Sequence, residues 1–152
     1  MRLLELRKFC VVIAAALSTV ILTSGSASAY PWWQDWTPVQ GQECSATTHH
    51  EVSTKVLFQT CIVPHPTNGT AQPVLIVRNN ATVTVGLENA KVSSLWSNKT
   101  YGCALMYLAP GRVAACYGGT TSLVLGNNQA VGQFTYNGIT DNTAFAEFPY
   151  AP

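Results

Sequence analysis

Apolar and polar residues alternate along most of the chain with the period of an extended strand. The clearest stretch is Glu51 to Val63, where Val52, Thr54, Val56, Phe58, Thr60 and Ile62 face one way and Ser53, Lys55, Gln59 and Cys61 the other. That two-residue repeat predicts a strand with one face on a core, and Pro64-His65-Pro66 ends it. Val74 to Arg78 is a short, nearly continuous apolar run, and Thr82 to Leu87 alternates Val83, Val85 and Leu87 with threonine and glycine. Asn79-Asn80 between them tolerates left-handed backbone and predicts a hairpin turn. Val92, Leu95 and Trp96 have helical spacing over a run too short for more than one turn of helix. Thr120 to Leu125 and Gln129 to Tyr136 predict strands on either side of a Gly126-Asn127-Asn128 turn. Asn137-Gly138 predicts a tight hairpin into a last strand near Thr143 to Phe148.

The segment from Tyr101 to Tyr117 predicts a hairpin of its own. Pro110 presets φ near the value for the first central position of a type II turn and Gly111 tolerates the positive φ of the second. With Leu108 to Gly111 as the loop, Tyr107 faces Arg112 and Cys103 falls opposite Cys116. Upstream, Tyr30 to Glu43 is an aromatic arm containing Pro31, Trp32, Trp33, Trp36 and Pro38. Its prolines discourage regular pairing and predict an extended arm or loop.

Residues 1–29 have the grammar of a secretory signal peptide: a basic start with Arg2, Arg7 and Lys8, an apolar stretch from Cys10 to Leu22, and Ala27-Ser28-Ala29 as the small-residue cleavage site. The apolar stretch is shorter than the roughly 20 residues that span a bilayer. The predicted organisation is therefore a leader over 1–29, the aromatic arm over 30–43 and one β domain over 44–152. Past the leader, Lys55, Arg78, Lys91, Lys99 and Arg112 stand against Asp35, Glu43, Glu51, Glu88, Asp141 and Glu147, a net charge of −1. A balance that small, with no basic run, argues against a nucleic-acid or anionic-membrane partner.

Cys44, Cys61, Cys103 and Cys116 remain after the leader. An even number in an exported chain predicts two disulfides. The local pairing, Cys44 with Cys61 and Cys103 with Cys116, is favoured, each ring contributing about 3 kcal/mol by loop closure. The rival joins Cys61 to Cys116 across two sheets.

Candidate chemistry is sparse. His49, His50 and His65 lack metal-ligand spacing, and adjacent strand residues point to opposite faces, so exposed turn histidines are expected and no metal or other cofactor. No nucleophile elbow or phosphate loop follows the leader, and no sequence feature brings two of the six carboxylates together as a glycosidase needs. No catalytic residues are expected. Trp32, Trp33 and Trp36 are the candidate binding residues, since exposed indoles stack on sugar faces or anchor protein partners, the alternative being rings that fold back and plug the sandwich. Trp96 is read as a core or loop anchor. Sequons occur at Asn68, Asn80 and Asn98.

Several of these stretches together, Ala27-Ser-Ala29, the Cys61 strand, Val74 to Asn80, and Cys103 through Leu108-Ala-Pro-Gly111 to Cys116-Tyr-Gly, resemble the small secreted β-sandwich proteins of actinobacteria. The resemblance implies a fold and an address but no activity. Cys44 and Cys61 are also spaced much as the first pair of the tendamistat-type amylase inhibitors, and Ala109-Pro-Gly111 after a cysteine is similar to their second strand region. That family binds through a Trp-Arg-Tyr triplet between its first cysteines, and none of those residue types lies between Cys44 and Cys61 here. The expectation is an all-β, immunoglobulin-like antiparallel sandwich of about eight or nine short strands, secreted, monomeric and non-enzymatic. It would bind polysaccharide or an extracellular protein through the aromatic arm, or alternatively inhibit an extracellular amylase or protease with the loop Leu108 to Arg112.

Overall fold

The computed structural model describes residues 33–151; the leader assigned to 1–29, and Trp32 of the arm, lie outside the described residues. Along the arm run β1 (Trp33–Gln34) and β2 (Glu43–Cys44), followed by β3 (Thr48–His50), β4 (Ser53–Pro64) and β5 (Thr70–Asn79). Then come β6 (Val85–Ser94), β7 (Lys99–Gly102) and β8 (Met106–Leu108), a return through β9 (Val113–Tyr117) and β10 (Thr121–Ser122), and finally β11 (Gly126–Tyr136), β12 (Ile139–Asn142) and β13 (Ala146–Tyr150). The first sheet has the order β1-β9-β5-β4-β2, with β3 also on β4 and β10 on β5. The second has the order β12-β11-β6-β7, with β13 on β11 and β8 on β6. Every pairing is antiparallel, and the described residues contain no helix.

The predicted alternation in β4 holds from Val56 onward: Val56, Phe58, Thr60 and Ile62 are buried between the sheets. Val52 leaves the pattern because Glu51-Val52 is the two-residue turn joining His50 to Ser53. The inner core gathers Phe58, Leu75 and Val77 from the first sheet with Leu87, Val92 and Phe134 from the second. Phe134 meets Phe58 edge to face at 5.1 Å, and burying side chains of this size is worth about 1.5–3 kcal/mol each.

Two expected hairpins are instead crossings between the sheets. Met106–Leu108 registers on β6, whereas Val113–Tyr117 registers on β5, so Tyr101 to Tyr117 does not fold on itself. The turn itself is as predicted: Arg112 N–H bonds Ala109 O at 3.2 Å and Gly111 has φ 73°. The physical reason for the difference lies in that turn, because a type II turn splays its two arms where a primed turn would twist them together. Asn137 and Gly138, at φ 49° and 79°, supply the primed turn and do close a hairpin, Tyr136 opposite Ile139. Asn79-Asn80 likewise carries the chain from β5 to β6. The buried Asn79 amide donates to Val83 O and Leu108 O and accepts from Ala81 N–H, which pins the crossing loop rather than closing a hairpin.

Other expectations are corrected locally. Ser94 continues β6, and residues 95–98 form a β-turn, with Asn98 at φ 51°, so the helical spacing of Val92, Leu95 and Trp96 is coincidental. Gly126-Asn127-Asn128 starts β11 instead of interrupting it, since Asn128 is buried and its amide bonds Val124 and the Phe148 carbonyl. The strands number 13 among the described residues, because the arm contributes short pieces and edge strands are broken at residues 103–105 and 143–145.

Both disulfides of the local pairing are present. Cys103–Cys116 joins the two sheets through the inner core, and Cys44–Cys61 fastens the arm to β4. Between the sheets, Thr60 and Thr143 share a buried hydrogen bond of 2.8 Å beside Gly132. A Cβ on Gly132 would stand 2.6 Å from Thr60 Oγ1 and 2.8 Å from Leu75 Cδ1. Gly132→Ala is therefore expected to cost about 1–3 kcal/mol by overpacking, read as a lower urea midpoint; an unchanged midpoint would mean that the sheets separate there at no cost.

Candidate functional site

The outer face of the first sheet is apolar as well. Val74, Ile76, Cys61 and Ala115 point away from the inner core and form a second buried cluster with Val63, Val113 and Tyr117. The arm covers it. β1 pairs with β9 at one edge of the sheet and β2 with β4 at the other, so Asp35 to Gln42 passes across the outer surface as a strap. Cys44–Cys61 clamps its far end, and Gly41, at φ 80°, lets the chain turn there.

The strap separates the tryptophans expected to act together. Trp33 lies opposite Cys116 and packs against the inner core, its indole N–H donating to Ala104 O at 2.7 Å. Trp36 lies on the opposite side of the sheet, half-buried against the outer cluster, with its ring 6.2 Å from that of Tyr117. Trp32 falls outside the described residues. Trp96 is partly buried against Ile62, Ala71, Ala130 and Ala146, as the anchor reading expects.

Beside Trp36 is a hollow of about 290 Å3. Leu57 and Ile76 supply apolar surface, and Thr47, Gln59, Arg78 and Asn80 supply polar groups. Thr47 Oγ1 donates to Gln59 Oε1 at 2.6 Å, which occupies the amide's acceptor side and orients its N–H2 group. Arg78 is exposed; the one ion pair among the described residues joins Arg112 to Asp35 at 3.0 Å. A flat aromatic, an apolar floor and amide and guanidinium donors are the groups that a small polar ligand with one apolar face would require. A hollow of about 390 Å3 at the end of the sandwich is shaped largely by the loop residues Pro64 to Thr67 with Phe148 and Tyr150, and has no lysine or arginine in its wall.

The remaining candidates are dispersed. His49 is exposed, but His50 is buried, contrary to the expectation of exposed turn histidines. Strand alternation turns the two apart, and His50 enters an aromatic nest 4.8 Å from Phe134 and 5.7 Å from Tyr136. Among the described residues no group of three or more His, Cys, Asp and Glu side chains is placed to hold a metal ion. The loop ahead of Arg112 is held down by Gly111 N–H to Asn79 O at 2.8 Å.

Sequence reasoning named Trp36 but not the residues that share the hollow with it. Thr47, Gln59 and Asn80 carry no motif, and the one sign of Arg78 was a cation at the end of an apolar run. No protein-family model, curated protein or solved structure matches the chain.

Tyr117 is partly buried beside Trp36, and desolvation raises its phenol above the ordinary tyrosine value of 10.0. Tyr101, whose ring lies against Gly118 and Gly119, is raised for the same reason. A raised folded-state value means that the unfolded chain loses its proton first. The stabilisation is complete below the unfolded value and is lost as pH rises through the folded one. Urea midpoints should therefore decline above about pH 10. The decline should be shallower in Tyr117→Phe; an identical slope in that variant would remove Tyr117 as its source.

Proposed function

We propose that this chain is a secreted, non-enzymatic binding module that takes a saccharide in the hollow between the strap and the outer face of the first sheet. The observation that carries the reading is Trp36: a half-buried indole fixed beside an apolar floor and next to the Gln59 and Asn80 amides. A sugar ring has the matching halves, C–H groups on one face for the indole and hydroxyls around its edge for the amides. Two disulfides formed by all four cysteines beyond the leader support an oxidising, extracellular setting, and no helix among the described residues is long and apolar enough to cross a membrane.

An immunoglobulin-like plan is part of this proposal. Its support is the order β9-β5-β4 in one sheet and β11-β6-β7 in the other, with the chain crossing between sheets after β5, β8 and β10. The kinship to small secreted actinobacterial sandwich proteins is carried with it, on the residues that suggested it. In such a plan the strap is an addition that converts a plain outer face into a site.

The reading is tested by retention of the purified protein on insoluble polysaccharides and by its tryptophan fluorescence on adding soluble glycans. Trp36→Ala should weaken retention at least about tenfold, Trp36→Phe should keep part of it, and both should keep the β circular-dichroism spectrum. A protein retained on no polysaccharide, with unchanged fluorescence, rules the reading out.

The second reading, inhibition of an extracellular amylase or protease, has one observation in its favour. The loop Leu108 to Arg112 is preorganised by its Pro110-Gly111 turn and its bond to Asn79, and a rigid loop binds at low entropic cost. Slowed turnover of such an enzyme on a soluble substrate, reversed by Pro110→Gly, is its expected signature; unaffected turnover across both enzyme classes excludes it.

A further inference from the structure

We infer that the saccharide held under the strap is acidic, and that Arg78 is the counter-ion of its carboxylate. The inference rests on the saccharide reading and specifies the chemistry of the ligand.

The polar wall of the hollow carries donors without a carboxylate among them. Gln59 Oε1 already accepts from Thr47, so the amide offers its N–H2 outward, where its only other contact is a long 3.8 Å approach to Cys61 Sγ. The Asn80 backbone N–H is used by Lys55 O at 2.8 Å, which fixes the residue while its side-chain amide makes no hydrogen bond among the described residues. Arg78 adds a guanidinium with five N–H donors and no acceptor. No lining residue is an Asp or Glu. A guanidinium and amide N–H2 groups with no carboxylate beside them are matched by a ligand that brings its own negatively charged acceptor.

Charge points the same way. Asp35, one residue before Trp36 on the strap, is committed to Arg112 at 3.0 Å and makes no ion pair with Arg78. Arg78 therefore brings an uncompensated positive charge to the hollow among the described residues. Its planar fork suits a planar carboxylate, which it holds through two parallel N–H···O bonds. With Leu57 opposite Arg78 across the ladder and Ile76 two residues away on the same face, the guanidinium stands beside the apolar surface on which a sugar ring lies. About 290 Å3 sits near the roughly 300 Å3 lower end of small-ligand pockets, suited to a terminal or single acidic sugar unit.

The probe is a uronic-acid oligosaccharide set against its fully methyl-esterified form, which keeps the ring and hydroxyls and removes the charge. Titration calorimetry on the intact protein should show the acid bound at least about tenfold more tightly than the ester, with the difference shrinking as salt screens the pair. Arg78→Gln should abolish that preference, so that acid and ester bind with equal affinity; Arg78→Lys, which keeps the charge but not the fork, should restore only part of it. Arg78 is exposed on a strand held by two neighbours, so these variants should unfold at the wild-type urea midpoint. Equal affinity for acid and ester, or an unaltered preference in Arg78→Gln, overturns the inference and leaves the saccharide reading standing. Binding of neither form, together with no retention on neutral polysaccharides, overturns both.

Discussion

Burying both faces of one sheet is the constraint from which the remaining architecture follows. In β5 the side chains from Pro73 to Val77 are all buried, Leu75 and Val77 toward the second sheet and Val74 and Ile76 away from it. Facing the second sheet satisfies only half of this surface. The other half needs a separate cover, and the chain supplies it from the residues that precede β3. The second sheet has no such demand. Its outward residues include Ser93, Lys91, Gln133 and Thr100, which water solvates without help, and Ser93 and Thr100 hydrogen-bond each other across the strands at 2.8 Å. The asymmetry of the molecule, one sheet strapped and the other bare, is thus an asymmetry of side-chain polarity.

Much of this was legible in the chain, though not always under the right heading. The apolar run from Val74 to Val77 announced a strand covered on both faces, since one-sided strands alternate. Period and turn chemistry located β4, β11 and the Asn137-Gly138 hairpin. The pairing of partners was harder to read, because two strands joined by a short loop have the choice of each other or of neighbours remote in sequence. Pro110 held the missing information. Its fixed φ excludes the primed turns that bind hairpin arms together, so β8 and β9 part company and the Cys103–Cys116 link, expected across a hairpin that does not form, becomes a bolt between sheets. Asn79 and Asn128 read as turn residues by composition. Only the folded chain reveals that their side chains are buried and that their amides donate to backbone carbonyls of loops and neighbouring strands.

The candidate site was less legible, for a physical reason. Aromatic residues close in sequence look like a cluster, but a strap entering at a sheet edge presents successive side chains to different surfaces. Trp33 is still paired with β9 and turns inward, whereas Trp36 is beyond the last bridge and lies over the outer face. Thr47, Gln59, Arg78 and Asn80 come from three separate stretches whose meeting depends on register. Leu57 opposite Arg78, and Val56 opposite Asn79, are consequences of the β4–β5 alignment, and a one-residue slip of β4 would turn Gln59 into the core while Arg78 stayed outside.

The strap also explains how a closed surface retains a hollow. From β1 to β2 it spans four strand spacings, about 19 Å, and the eight residues from Asp35 to Gln42 can reach about 28 Å when extended. The surplus length must bow. Its ends have no such freedom, one being paired with β9 and the other joined to Cys61 by a covalent link. The slack therefore gathers between the anchors, where Trp36 meets a floor whose Leu57, Gln59, Ile76 and Arg78 are fixed by the central ladder. If the hollow binds as proposed, a floor held by the ladder beneath a roof fixed at both ends would admit an occupant by displacing the roof and not the inner core. On the proposed binding reading, the cover demanded by hydrophobic burial would be the half of the site that adjusts.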